Sequence, residues 1–305
     1  MATRSWFELK EIAPGLWSLS EPDHLEEVIS YLVLGRDRAA LIDTGMGIGD
    51  LPAAVNRLTR LPIIVVNTNA DYHHCGANHH YREIAAHQAE APRVERGWAK
   101  EEVADTLLPH KIWGPLPAGF DPLKYAVLPS RVTRLLDEGD LMELGGRRLR
   151  ILHTPGHATG ALCLQDENSG TLFTGDTLAP ATISAWGDGS DPEQLLASLE
   201  RLARDAGQVA RVCPGHHLTP LGPDFLAEAA AAVARVRSGA TRVEPAREGV
   251  VRHRFRRFSL LLPGHIDPPP PPPAPEPSPP PRKGAAKKQS PGKGRKRPAR
   301  QASGR

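Results

Sequence analysis

Residues 154–177 read TPGHATGALCLQDENSGTLFTGDT. Two short apolar runs in this stretch, Ala161–Gln165 and Thr171–Thr174, have the length and patterning of strands. A third strand is expected just before them, at Arg148–His153. A ligand-type side chain beside glycine follows two of these three strands, as Gly156-His157 and as Gly175-Asp176. The same arrangement recurs on either side of the stretch. Upstream, Pro62 opens Ile63-Ile64-Val65-Val66, a β-branched run of the kind buried on both faces of a sheet. That run feeds Asn67-Thr68-Asn69-Ala70-Asp71-Tyr72-His73-His74. Downstream, Val209–Cys213 feeds Pro214-Gly215-His216-His217. Imidazole and carboxylate are the usual ligands of zinc and related metals. Glycine beside them lets the backbone turn sharply at the strand end. One such histidine reads more readily as a satisfied core or surface residue. Four such strand ends in order point instead to loops converging on one cavity.

The remaining pattern places these loops in an alternating α/β order. Strands are expected at Leu16–Ser20, Ser30–Leu34 and Ala39–Ile42, and helical spacing runs from Asp50 to Arg60 with Pro52 near its start. Asp191 is a helix N-cap, with Pro192 in the first position and Gln194 three residues after the cap; that helix runs to about Ala206. Pro223 opens an Ala-rich helix that Gly239 can close. From Trp98 to Pro129 the pattern is irregular, and Trp113-Gly114-Pro115-Leu116-Pro117 with Phe120 are expected to line a substrate pocket. The order suggests an α/β layer protein built from two similar halves.

Composition sets limits on the rest. The 305 residues are 40% hydrophobic and 24% charged, ordinary for a globular protein with a sizeable core. Residues 1–262 read as one domain, 263–281 as a proline-rich linker and 282–305 as a disordered basic tail. From Pro268 to Arg305 there are ten Lys/Arg and one acid, a net of +9, which leaves −6 of the overall +3 for residues 1–267. The tail could neutralise phosphates of nucleic acid or another polyanion, weakly and without base stacking, since no aromatic is interleaved in it; a solvated extension fits it equally. Three scattered cysteines, Cys75, Cys163 and Cys213, suit a reducing cytoplasm, and no apolar stretch of about 18 residues predicts a membrane span. Cys75 reads as a small packing residue under its loop. Nothing in the sequence sets an oligomeric state.

With these residues in view, the chain resembles the metallo-β-lactamase-fold hydrolase superfamily, which includes glyoxalase II-type thioesterases. The resemblance spans about residues 7 to 240. Leu41-Ile42-Asp43-Thr44-Gly45 is similar to the superfamily's early Asp-Thr-Gly turn, and Asn67 to Asn78 aligns with its T-H-x-H-x-D-H-x-G-G-N segment. His157, Asp176 and His216 match the later ligands. The resemblance implies a four-layer αββα sandwich with metals at one edge of its two sheets. One departure stands out: the superfamily has His at the positions of Asn69 and Asp71, and Asp at the position of His73. Carried over by position, one metal set is His73, His74, Asp176 and His216. The other is Asn69, Asp71 and His157, with Asp176 as bridge. A neutral amide such as Asn69 is a poor ligand for a soft divalent ion. The carboxylate missing at 73 has in effect moved to 71, so the pair of acids persists as Asp71 and Asp176.

The resemblance thus implies a hydrolase holding one or two zinc ions, with iron or manganese as alternatives. Metal-activated water would attack a thioester, ester or lactone-type carbonyl of a small-molecule substrate. Asp71 would serve as the replacement base and His73 would stand where the water-orienting carboxylate is usual. Asp43 would orient a ligand histidine, although a turn-forming role beside Gly45 explains it as well. Two rival readings remain open at this level: an iron-dependent redox enzyme of the same fold, and a catalytically inactive binding module.

Overall fold

The computed structural model describes residues 5–264. Seven short strands build the first sheet, in the same order in space as in sequence: β1 (Glu8–Ala13), β2 (Leu16–Ser20), β3 (Ile29–Leu34), β4 (Ala39–Ile42), β5 (Ile63–Val66), β6 (Ile84–His87) and β7 (Arg134–Leu136). Pairing is antiparallel up to β4 and parallel from β4 to β7. Each parallel step needs a crossover. Helices α1 (Leu51–Leu58), α2 (Tyr72–Cys75) and α3 (Ala91–Arg96) lie in those crossovers. Asp50 starts α1 by accepting the Ala53 amide at 2.9 Å.

The second sheet runs antiparallel through β8 (Leu141–Glu143), β9 (Arg148–His153), β10 (Leu162–Asp166) and β11 (Thr171–Gly175). The chain then leaves through β12 (Thr182–Ser184) and α4 (Pro192–Arg204), and returns as β13 (Arg211–Pro214), parallel to β11. After α5 (Asp224–Arg237), the strands β14 (Val243–Arg247), β15 (Val250–Arg254) and β16 (Ser259–Pro263) form a third sheet, with β12 joined parallel to β16.

Burial shows four layers. Between the sheets, Tyr31, Val33, Ile42, Ile64 and Val66 meet Ile151, Leu162, Leu164 and Phe173. On the outer face of the first sheet, Leu32, Leu41 and Val65 pack with Leu51 and Val55 of α1. On the outer face of the second, Leu172 and Val212 pack with Leu195 and Leu199 of α4 and Phe225 of α5. Strand residues of both parities are therefore buried, and each large apolar side chain contributes roughly 1.5–3 kcal/mol. This is the α/β, αββα sandwich expected from the sequence.

Several elements lie where patterning placed them, including β2, β4, β5 and β9. Others were not expected: β1, β6, β7, β8, β12 and the hairpin strands β14–β16. The third sheet also breaks the correspondence between two similar halves. Pro263, read as the first linker residue, is the last residue of β16 and pairs with Val250. The rest of the proline-rich linker and the basic tail lie outside the described residues. Among the described residues no helix is long and apolar enough to cross a membrane.

Candidate metal centre

Asp176 follows β11 and is buried, 8% exposed. Three loops bring imidazoles to it. His74 Nε2 lies 2.8 Å and His73 Nε2 3.5 Å from its Oδ2, His216 Nε2 2.9 Å from its Oδ1, and His157 Nε2 3.4 Å from its Oδ2. His157 Nε2 is also 3.1 Å from Asp71 Oδ2. Two groups emerge whose ligand atoms lie within 4.8 Å of one another: His73, His74, Asp176 and His216, and Asp71, His157 and Asp176. Asp176 belongs to both and can bridge them.

The turns that aim these side chains are local. Gly175 has φ +46°, and a Cβ there would come within 2.6 Å of Thr68 Oγ1, so a close approach joins the two sheets at this edge. His73 and His74 stand on the single turn of α2, directly after the polar end of β5. Glu90 ties the first loop to the third: its carboxylate accepts the Ala70 amide at 3.0 Å and the Gly160 amide at 2.9 Å.

The second nitrogen of His74, His216 and His157 is also placed. His74 Nδ1 lies 2.9 Å from Asp43 Oδ2. Asp43 (φ +59°) is itself held by the Thr68 amide and hydroxyl, at 2.8 and 2.7 Å. The Nδ1 atoms of His216 and His157 stand 2.6 Å from Glu26 O and 2.9 Å from Ser184 O. Such partners set the tautomer and leave Nε2 free to face an ion. His73 differs. Both its ring nitrogens are shut from solvent and neither has a hydrogen-bond partner among the described residues. A buried polar atom left unpaired costs about 1–3 kcal/mol, so the site is incomplete as protein alone.

Electrostatics report the same crowding. Burial would raise the Asp176 carboxyl, but the His74 and His216 charges beside it hold it well below the usual range. Burial would likewise raise Asp71, and its pairing with His157 instead brings it lower. His74 and His157 are lifted well above the usual imidazole value despite burial, by Asp176 with Asp43 and Asp71 respectively. Burial and the His74 charge push His73 down, which keeps it neutral with a lone pair to offer.

Asn69 is the one expected ligand that the geometry does not offer. Its amide oxygen accepts the Asp71 backbone N–H at 2.7 Å, and its NH2 group donates to Asp176 Oδ2 at 3.0 Å. The backbone donor fixes the amide's orientation, so Asn69 braces the bridging carboxylate. A cavity of about 380 Å³ opens above the centre, lined by Leu25, Glu26, Asp71, His73, Ile183 and His216 among others. The expected pocket residues of 113–120 are not among its lining. Trp113 is 54% exposed on the surface, and Phe120 packs against Tyr125. The insertion folds onto the 21–28 loop instead, the Trp113 amide reaching Asp23 O at 2.8 Å. Leu25, Glu26 and the carbonyls of Glu26 and Ser184 were not anticipated, and no side-chain motif signals a carbonyl's role.

The sequence matches the model of the metallo-beta-lactamase superfamily over residues 26–216. The chain belongs to that superfamily. The six ligand positions of the centre, and Asn69, lie within the matched span. Among its relatives is an acyl-coenzyme A thioesterase MBLAC2 of Gallus gallus, 32% identical over 229 residues, which are 71% of this chain and 82% of that one. A hydroxyacylglutathione hydrolase of Xylella fastidiosa is 40% identical over 84 residues, 28% of this chain and 31% of that protein. Among solved structures, a metallo-beta-lactamase family protein from Thermus thermophilus superposes with a TM-score of 0.56 at 26% identity, covering 75% of this chain and 81% of that one. Within the matched span, the clustered ligand-type side chains sit on loops that follow β5, β9, β11 and β13.

Proposed function

We propose that this chain is a metal-dependent hydrolase of small acyl thioesters, with His73, His74, Asp176 and His216 holding one ion, most simply zinc. The observation that carries the reading is His73: a buried imidazole with no hydrogen-bond partner among the described residues, set among three further ligand atoms. Three imidazoles and one carboxylate are a donor set suited to zinc, with iron or manganese as further candidates. A second ion would rest on Asp71, His157 and the shared Asp176, with Asn69 excluded as a ligand by its hydrogen bonds. The relatives named as thioesterase and hydroxyacylglutathione hydrolase support a thioester carbonyl as the target. Three free, buried cysteines suit a reducing cytoplasm.

The metal, when bound, supplies Lewis acidity toward a carbonyl oxygen and makes a nucleophile available from water near neutral pH. The protein's own groups do the rest. Asp71 lines the cavity, stays ionised, and is placed to take a proton from a water held there. His157, 3.1 Å from it, stabilises that carboxylate's charge. Asn69 and His74 keep Asp176 from rotating, so the donor set is preorganised. Turnover of a thioester panel by the metal-loaded protein, beside His74→Ala and Asp176→Ala, tests the reading. The expected result is hydrolysis by the parent and loss in both variants. Equal rates in all three would leave a binding module, and oxygen consumption with bound iron would point to redox chemistry.

A further inference from the structure

The metal cavity does not end at its ligands. Ala181, Thr182 and His217 line it and also line a second groove of about 340 Å³, so the two spaces adjoin at β12. The far wall of that groove is the turn between β15 and β16. The Phe255 amide closes this turn on Phe258 O at 2.9 Å, and the Ser259 amide docks it on Ala181 O at 3.0 Å. Phe258 is buried and meets Phe225 edge-on at 5.9 Å, which anchors the turn in the core.

Three arginines face the groove, and they are not equivalent. Arg257 is committed: Asp224 at 2.9 Å and Glu228 at 2.6 Å hold it. Arg254 pairs with Glu244 at 2.6 Å, but both side chains are exposed, and such a pair exchanges partners at little cost. Arg256 is exposed and makes no ion pair or hydrogen bond among the described residues. Among the described residues no acidic one lines this groove, whereas the cavity beside it is lined by Glu26, Asp71 and Asp176. A free guanidinium on a rigid turn, next to one that can be released, is a recognition element for phosphate, which it can bind through two parallel N–H donors. The apolar Leu25, 38% exposed, also lines the cavity.

We infer that this groove binds the phosphate-bearing half of a nucleotide-type thiol, so that a substrate lies with its carbonyl at the metal centre and its leaving group along Thr182 to Arg256. The inference rests on the thioester reading above and adds to it the identity of the leaving group and its place. The charged side chains that line the groove are arginine and His217, so phosphate is favoured there.

The test uses the full-length, metal-loaded protein and two substrates with one acyl group: a coenzyme A thioester and an N-acetylcysteamine thioester, which has no phosphate. The ratio of kcat/KM between them is expected to fall about ten-fold in Arg256→Glu, through KM, because a charge-assisted hydrogen bond to phosphate is lost and a repulsion gained. Added salt is expected to lower the ratio in the wild type and much less in the variant. A ratio unchanged by Arg256→Glu overturns the inference. Calorimetric binding of adenosine 3′,5′-bisphosphate separates it from the reading beneath it. Binding that Arg256→Glu abolishes, with no thioester turned over, keeps the groove assignment and removes the hydrolase. Turnover of both thioesters at an unchanged ratio, without bisphosphate binding, removes the groove assignment and keeps the hydrolase.

Discussion

Asp71 and His73 exchange the chemical types that the resemblance leads one to expect, and at the scale of single residues that exchange decides what the centre can do. The shared loop keeps one carboxylate, but at 71 it faces the cavity and pairs with His157 at 3.1 Å. Asp71→Asn keeps its shape and removes the base. Turnover should fall about 100-fold or more with little change in KM, while the His73 group retains its ion; steady-state kinetics with metal analysis checks both, and a near-native rate would remove Asp71 from the mechanism. A second residue gives a pH prediction away from the metal. Glu21 is fully buried, accepting Trp6 Nε1 at 2.5 Å and the Met46 amide at 2.8 Å, and burial raises its carboxyl from 4.5 to about 7. A folded pKa above the unfolded one means the native state binds the extra proton. Its contribution is complete below about pH 4.5 and is lost as pH rises through 7, by at most about 3 kcal/mol. Carbon-13 NMR of labelled glutamate should show one carboxyl titrating near neutrality; a protein whose glutamates all titrate in the ordinary acid range contradicts it. His74, His157, Asp176 and His216 were legible because each follows a strand and three sit beside glycine. Asn69 was legible only as a weak ligand, since its hydrogen-bond partners come from the distant Asp176 and from a backbone amide. Glu90 had no local signal at all: the two amides it joins lie 20 and 70 residues away in the chain.

Elements deliver these residues through close backbone contacts. Gly156 has φ +136°, and a Cβ there would lie 2.2 Å from Leu195 N in the first turn of α4. The Asp191 amide reaches Gly156 O at 2.8 Å and Ser198 Oγ reaches Pro155 O at 2.8 Å, so α4 clamps the loop that aims His157. Gly156→Ala is expected to cost about 3 kcal/mol, through strain at that φ and displacement of α4. Loss of His157 geometry should accompany it, seen as a lower metal stoichiometry; a variant with native melting and native metal content would show that the clamp is slack. Strands that are continuous apolar runs, such as β4 and β5, could be read directly. β7 and β14 could not: one has a single buried residue of three, the other has Pro245 within it and is mostly exposed. Their pairing comes from neighbours, not from their own pattern.

For the whole molecule, three of the third sheet's four strands, β14 to β16, lie past the matched residues 26–216. Phe258, Leu260 and Leu262 are buried against α4, α5 and β12, so this sheet closes the core beneath the proposed phosphate groove. A chain ending at Arg242 exposes all three apolar partners and should not fold, because their burial approaches the roughly 5–15 kcal/mol net stability of a domain. A chain ending at Asp267 should melt within about 2 °C of full length; a larger drop would mean the tail contributes to the fold. Both truncations are compared by circular dichroism. The central claim is that distant strand ends enclose a cation on His73, His74, Asp176 and His216. Elemental analysis of the purified protein measures it most directly. The account predicts at least one zinc, iron or manganese ion per chain, lost in His74→Ala and Asp176→Ala; a parent protein that stays metal-free after exposure to all three ions contradicts it.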